Sequence, residues 1–252
     1  MRDCFAIVNQ KGGVAKSTTA AAIAAGLLLK GYKVLVVDTD AQGNLSYSYD
    51  AKGESWQNSL ALMTEGLIDS AERLIVHTQQ GDIIPSTPQL ASAEQLLPAV
   101  GTEQKLKEGL QPLLDLYDYI VIDTPPALGA LTTNALTACT KAIIPTQADV
   151  YGLQGIGGIQ QTIEAVRKYC NPQLKVEGIL LTRYNGRTTL SRDTRLIMEE
   201  TARVFNTKVF DTPIRECIAV KEAQMLKRSI FDYAGRSNAA KDYRALIEEL
   251  LA

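Results

Sequence analysis

Short, unbroken apolar runs alternate with longer stretches of helical period along this chain. Cys4–Asn9, Lys33–Asp38, Asp82–Pro85, Tyr119–Asp123, Ala142–Pro145 and Val176–Thr182 have the length and apolar content of strands buried on both faces. Between them, apolar positions three and four apart predict helices over Ser17–Lys30 and near 57–66, 103–116, 152–169 and 190–205. A last helix is expected over Asn238–Leu251. Strands alternating with helices predict an α/β fold, a doubly wound and mostly parallel sheet with helices on both faces. No repeat, low-complexity tract or Pro/Gly/Ser-rich linker divides the 252 residues, so one domain over 1–252 is expected. In such sheets ligands lie beyond the carboxyl ends of the strands. Residues of unusual chemistry should therefore follow the strands.

Composition narrows the chemistry. Hydrophobic residues make up 46 % of the chain, which excludes general disorder. No apolar run approaches a membrane span, and the stretch Cys4–Val8 is too short for a secretory signal. The four cysteines (Cys4, Cys139, Cys170 and Cys217) have no C-x-x-C spacing, which argues against a zinc site and fits a reducing compartment. A single histidine, His77, makes a Ser-His-Asp triad or a multi-histidine metal site a poor fit. Chemistry here must rest on Lys, Asp and backbone amides, with or without a metal. The net charge of −2 hides an asymmetry: residues 1–150 carry 10 basic and 16 acidic side chains, residues 151–252 carry 16 and 12. The second half is either a solvated surface or a face for a polyanion.

After the first strand comes Asn9-Gln10-Lys11-Gly12-Gly13-Val14-Ala15-Lys16-Ser17-Thr18, which opens into an Ala-rich helix. A glycine loop at a helix start presents N–H groups and the positive end of the helix dipole to a phosphate. Lys16 adds a point charge for the β- and γ-phosphates, and the Ser17 hydroxyl suits Mg²⁺. Gln10 and Ala15 stand where the usual G-x-x-x-x-G-K-[ST] pattern has glycine, and Lys11 is an additional lysine. In this the loop resembles the deviant Walker A family of P-loop ATPases, with its K-G-G-x-G-K-[ST] pattern. The resemblance implies ATP and Mg²⁺ as cofactors, held by Lys11 to Thr18, and a homodimer formed on ATP binding in which Lys11 reaches the partner's nucleotide. Ala15 departs from the family glycine. If its position demands positive φ, the cost is on the order of 1 kcal/mol.

The second strand ends in Asp38-Thr39-Asp40-Ala41-Gln42-Gly43-Asn44, and Tyr119–Asp123 runs into Thr124-Pro125-Pro126. The first segment resembles the family's D-x-D-P-Q-G-N, with Ala41 in place of proline. By that match Asp40 positions the attacking water, and Lys11, Lys16 and Asp40 are the catalytic set. The second has Walker B form, four apolar residues ending in Asp123, which belongs with Ser17 and Asp40 near the Mg²⁺ shell. Ala127–Gly129 and Leu131–Leu136 further resemble the ParA-type DNA partition ATPases, a likeness that spans nearly the whole chain. The first strand begins at once, as in the short form of that family.

That likeness carries further expectations. The segment Thr212, Pro213, Ile214 and Arg215 lies by the adenine through backbone groups. Residues 182–195 hold Arg183, Arg187, Arg192 and Arg195 against Asp193 alone. Arg187 matches a family arginine that binds double-stranded DNA without sequence preference, and phosphate contacts of that kind are salt-sensitive. Ala219 stands where the family often has a second DNA-binding arginine; Lys221, Lys227, Arg228 and Arg236 are candidates to substitute, and the sequence does not choose among them. A ParB-like adaptor and a cytoplasmic, nucleoid-associated location follow from the resemblance alone. Two other classes compete. A MinD-type membrane ATPase needs a basic amphipathic C-terminal helix, whereas Tyr243–Ala252 is acidic, so no membrane partner is expected. A binding-only nucleotide switch, with hydrolysis impaired by Ala15, is separable by single-turnover ATPase kinetics.

Overall fold

A computed structural model describes residues 1–63, 68–92, 101–148, 150–186, 189–204 and 206–252, with backbone alone at 68–70, 150–155, 189–192 and 204. The strands are β1 (Asp3–Ile7), β2 (Val34–Asp38), β3 (Val76–Thr78), β4 (Gly81–Ile84), β5 (Tyr119–Asp123), β6 (Lys141–Gln147), β7 (Lys175–Tyr184) and β8 (Ile214–Arg215). They form one eight-stranded sheet in the order β3-β4-β2-β5-β1-β6-β7-β8. All neighbours are parallel except the edge pair β3 and β4. The doubly wound, mostly parallel sheet expected from the sequence is present.

Alternation along β1 shows why the central strands read as unbroken apolar runs. Cys4, Ala6 and Val8 face one buried cluster with Leu106, Leu136 and Ile159, while Phe5 and Ile7 face another with Ile23, Tyr243 and Leu246. Both faces are covered, so period-2 patterning has no polar side to show. Helix α1 (Lys16–Leu29) lies on the second face. Its last-turn partner is the C-terminal helix, Asn238–Leu251, whose start is capped by Ser237 Oγ accepting from Ala240 N at 3.2 Å. The two helices touch at Gly26, where a Cβ would sit 1.8 Å from Ile247 Cδ1. A side chain at position 26 would have to displace the end of Ile247.

Other helices depart from the sequence expectation in instructive ways. The expected helix at 103–116 is divided into 3-10 turns at Thr102–Gln104 and Gln111–Leu113 around a short α-helix, Lys105–Leu110. Pro112 has no N–H to continue the ladder, which ends the α-helix there. The expected helix at 57–66 is described as Ser59–Met63, and its end lies outside the described residues. Helices at Ala130–Ala138, Ile218–Met225 and Ile230–Ala234 were not signalled by apolar period, nor were the short edge strands β3 and β8. Val150–Tyr169 and Thr189–Val204 match the expected long helices to within two residues.

Candidate active site

The carboxyl ends of β1, β2, β5 and β7 surround one cleft of about 650 Å³. The loop after β1 forms its floor. Asn9 Nδ2 donates to Pro145 O at 2.6 Å, and Asn9 Oδ1 accepts from Lys11 N at 2.9 Å, so the loop is tied to β6 where it leaves the sheet. Gln147 Nε2 donates to Gly13 O (3.2 Å) and Thr182 Oγ1 to Val14 O (3.1 Å). With these carbonyls bound outside the loop, its N–H side is left for the cleft, at the positive end of the 14-residue α1. That is an anion cradle.

Gly13 has φ 76° and Ala15 has φ 69°, so both occupy the left-handed region. The condition set by the sequence is met: Ala15 sits where glycine is favoured, and its carbonyl accepts from Thr19 N at 2.9 Å to begin α1. Ala15→Gly should therefore stabilise the nucleotide-free protein. The relief of strain, less the chain entropy glycine adds, leaves about 0.5–1 kcal/mol, or ~1–4 °C in calorimetric midpoint for a chain of this size. A lower midpoint in the glycine variant would show that the loop carries no such strain.

Lys16 is only 7 % exposed, and its Nζ donates to Lys11 O at 3.2 Å, which curls the ammonium into the loop. Burial lowers its pKa, while the charges of Asp123 and Asp40 oppose that shift. A phosphate anion would supply the counter-charge that burial withholds. Asp123, at the end of β5, is fully buried, and neither carboxylate oxygen has a hydrogen-bond partner of good geometry. Burial drives its pKa well up, and the neighbouring Asp38 charge adds to that, against the Ser17 hydroxyl and Lys16. An orphaned buried carboxylate beside a hydroxyl and a phosphate cradle is what a hydrated divalent cation fits.

The two aspartates at the carboxyl end of β2 differ in their partners. Asp38 pairs in register with Asp123 and accepts from Ser46 Oγ (2.7 Å), Ser46 N (2.9 Å) and Asp40 N (3.1 Å). Burial pushes its pKa up to about 6, against those donors. Its oxygens hold the 40–46 loop in place. Asp40 lines the cleft with Lys16 and Ser17, one oxygen accepting from Gln42 N at 3.0 Å. Gly43, at φ 60°, allows the turn that closes on Asp40 O at 2.8 Å. Asp40 is thus the aspartate placed to act on a ligand.

Other sequence-expected residues are placed as follows. Gly12, Gly13, Ala15, Ser17 and Thr18 line the cleft, while the Val14 side chain is buried away from it and has only backbone to offer. Of the adenine segment, Ile214 and Arg215 line the cleft, and Thr212 and Pro213 do not. The Arg215 guanidinium is held by Asp242 at 2.5 and 2.9 Å, which leaves its backbone as the part open to a ligand. Thr212 N donates to Glu249 Oε1 at 2.9 Å, which fixes the segment to the last helix. Tyr47, Cys217, Ile218, Gln224 and Tyr243 also line the cleft. Nothing in the sequence marks them as lining residues: Tyr47, Cys217, Ile218 and Gln224 come from short elements or loops without a readable period, and Tyr243, though in an expected helix, is set at the cleft by tertiary packing.

The basic residues expected to meet DNA do not form one described face. Arg187 and the Arg192 side chain lie outside the described residues. Arg195 is bound along its own helix, Nε to Glu199 Oε1 at 3.0 Å, with Nη1 on Asp211 O at 3.5 Å. Arg183 and Lys221 are exposed, but they line the nucleotide-sized cleft. Ala219 is buried, Lys227 is paired with Asp50 at 2.5 Å, and Arg228 donates to Asp232 O at 3.2 Å.

A parallel sheet with a glycine loop, a buried lysine and Asp40 at one cleft, and the strand-end Asp123 buried beside that lysine, defines the P-loop nucleotide hydrolases as the class. Residues 2–176 match the family described as an AAA domain. The sporulation initiation inhibitor protein Soj of Bacillus subtilis is 37 % identical over 257 residues, which cover 100 % of this chain and 99 % of Soj. The chromosome partitioning protein ParA of Myxococcus xanthus is 36 % identical over 97 % of this chain and 86 % of its own length. Among solved structures, a Mycobacterium smegmatis protein described as cobyrinic acid a,c-diamide synthase, with bound ADP and magnesium, is 35 % identical with a TM-score of 0.81, covering 100 % of this chain and 94 % of that one. The chain belongs to the Soj/ParA family of partition ATPases.

Proposed function

We propose that this chain works as a single ATPase unit over 1–252 whose Mg²⁺- and ATP-dependent homodimer holds double-stranded DNA without sequence preference and lets go on hydrolysis. The observation that carries the reading is the buried, unpartnered carboxylate of Asp123 facing the Lys16 loop, with Asp40 alongside. Ser17, Asp123 and Asp40 would hold the cation, Asp123 and Asp40 through water; a bound Mg²⁺ supplies neutralising charge to the β- and γ-phosphate oxygens. Lys16 holds those oxygens from the loop, and Lys11 completes the partner's site. Asp40 orients the attacking water, and the backbone of the Ile214–Arg215 strand flanks the adenine. In-line phosphoryl transfer needs positioning and charge more than proton chemistry, so this set suffices without histidine.

A ParB-like adaptor on the cargo and a cytoplasmic site of action on the nucleoid fit the same reading. The helix Asn238–Leu251 offers no apolar face to a membrane, since its Tyr243, Leu246, Ile247 and Leu250 are buried in the protein core. Among the described residues no helix is long and apolar enough to cross a membrane.

The DNA step is tested through Arg187. Affinity for unrelated duplexes should fall as a power of salt concentration, and each phosphate that is no longer neutralised should lower the slope by about 0.9. On a two-fold dimer Arg187→Ala frees up to two phosphates, lowering the slope by about 1.8 for every sequence alike. The measurement is binding from low to moderate salt, with ATP and an Asp40→Ala background that holds the dimer. An unchanged slope would remove Arg187 from the DNA surface.

A further inference from the structure

We propose that Arg183 is a nucleobase contact of the ATP site, its guanidinium lying on the purine; the inference rests on the ATPase reading above. Three observations converge on it. Arg183 lines the same cleft as Lys16 and Ser17, yet it is separated from them in sequence by most of the chain. Its backbone is in the left-handed region, at φ 49°. Among the described residues, Ala15 and Arg183 are the two non-glycine residues of positive φ that line the cleft. Strained backbone of this sort persists where the surroundings over-determine it, and it gathers at binding sites.

The cause is a slip in the sheet. β7 pairs with β8 through Thr182↔Ile214 and then Tyr184↔Arg215, so two residues advance on β7 while one advances on β8. Residue 183 is the extra one, and a bulge of this kind re-aims a side chain. Thr182 just before it is fixed by donating to Val14 O and Thr146 O at 3.1 and 3.2 Å. Arg183 is therefore carried level with Ile214 and Arg215, the segment expected to flank the adenine. Its guanidinium has no hydrogen bond or ion pair with another described residue. Ile214, Cys217, Val220 and Tyr243 line the same cleft and give it apolar surface for a flat ring. A planar, weakly hydrated cation above a purine in such a place is a stacking partner that lysine cannot replace.

The same geometry takes Arg183 out of the group expected to bind DNA phosphates. The two roles separate by experiment. Arg183→Gly removes the side chain and suits the left-handed backbone, so the nucleotide-free protein should melt no lower than the native one. Its affinity for a fluorescent ADP derivative, measured with Mg²⁺ present, should fall about 3- to 30-fold. Arg183→Lys keeps the charge and should lose most of the same affinity. Competition by inorganic tripolyphosphate should be unchanged in both variants, because the phosphate cradle is untouched. With saturating ATP in the Asp40→Ala background, the salt slope for DNA should equal the native value.

Native ADP affinity in Arg183→Gly overturns the proposal, as does weakened tripolyphosphate binding, which would put Arg183 on the phosphates. A reduced DNA slope would return it to the DNA surface and overturn it as well. Lys16→Ala serves as the reference: its retention of normal ADP affinity would overturn the nucleotide reading of the cleft itself. Loss there with none in Arg183→Gly overturns only the role given to Arg183.

Discussion

Lys16→Ala should abolish ATP-dependent dimerisation and DNA binding while leaving a folded protein. The side chain is buried, its ammonium reaches back to Lys11 O, and burial holds its pKa down. In the nucleotide-free state the ammonium thus sits in poor solvation, partly offset by Asp123 and Asp40. A triphosphate converts that deficit into a charge-assisted contact, worth about 1.5–3 kcal/mol for each hydrogen bond to a charged group. Nucleotide affinity should accordingly drop on the order of 10- to 100-fold or more. Stability should move little, because the desolvation cost and the attraction to Asp123 are removed together. Titration with a fluorescent ATP derivative, light scattering for the dimer and calorimetry for the fold would check this. Normal nucleotide affinity in the variant would mean that the loop after β1 is not the phosphate site.

Much of this site was legible in the sequence, for a physical reason. A phosphate loop, a strand-end aspartate and a glycine turn are local devices, each encoded within ten residues, so Lys16, Asp40 and Asp123 could be named before any fold was known. β5 could be bounded residue by residue because both its faces are buried and the aspartate ends it. Ala15 was readable as a question, since sequence shows the alanine but only backbone geometry shows φ 69°. What escaped was set by tertiary placement. The helix Ile218–Met225 leaves Ile218 and Met225 exposed, 66 % and 69 %, so its apolar residues do not mark a buried stripe. β8 is two residues long, too short for any pattern. Arg183 was grouped with Arg187, Arg192 and Arg195 because charge spacing counts residues along the chain. A bulge against β8 sets it among the residues that line the cleft, and no count of arginines along a chain reveals a bulge.

Asp40→Ala should slow ATP hydrolysis on the order of 100-fold or more while ATP binding persists, because the carboxylate acts on water and not on the nucleotide. The ATP-bound dimer should accumulate and stay longer on DNA. The alanine variant also loses the acceptor for Gln42 N, so loosened loop structure is a competing cause. Asp40→Asn separates the two. It keeps an oxygen for Gln42 N and nearly the same volume, but it has no negative charge to orient and polarise water. A similar fall in both variants assigns the effect to the charge; recovery in the asparagine variant assigns it to the loop. Asp38 provides the contrast, since its oxygens are spent on Ser46 and Asp40 N inside the protein. Asp38→Ala leaves the buried Asp40 N and the partly buried Ser46 donors unpaired, at about 1–3 kcal/mol, and should lower the melting midpoint along with activity. Asp40→Asn should lower the single-turnover rate alone. Native hydrolysis in both Asp40 variants, measured in a single turnover with dimer formation verified, would show that the water is positioned by some other group.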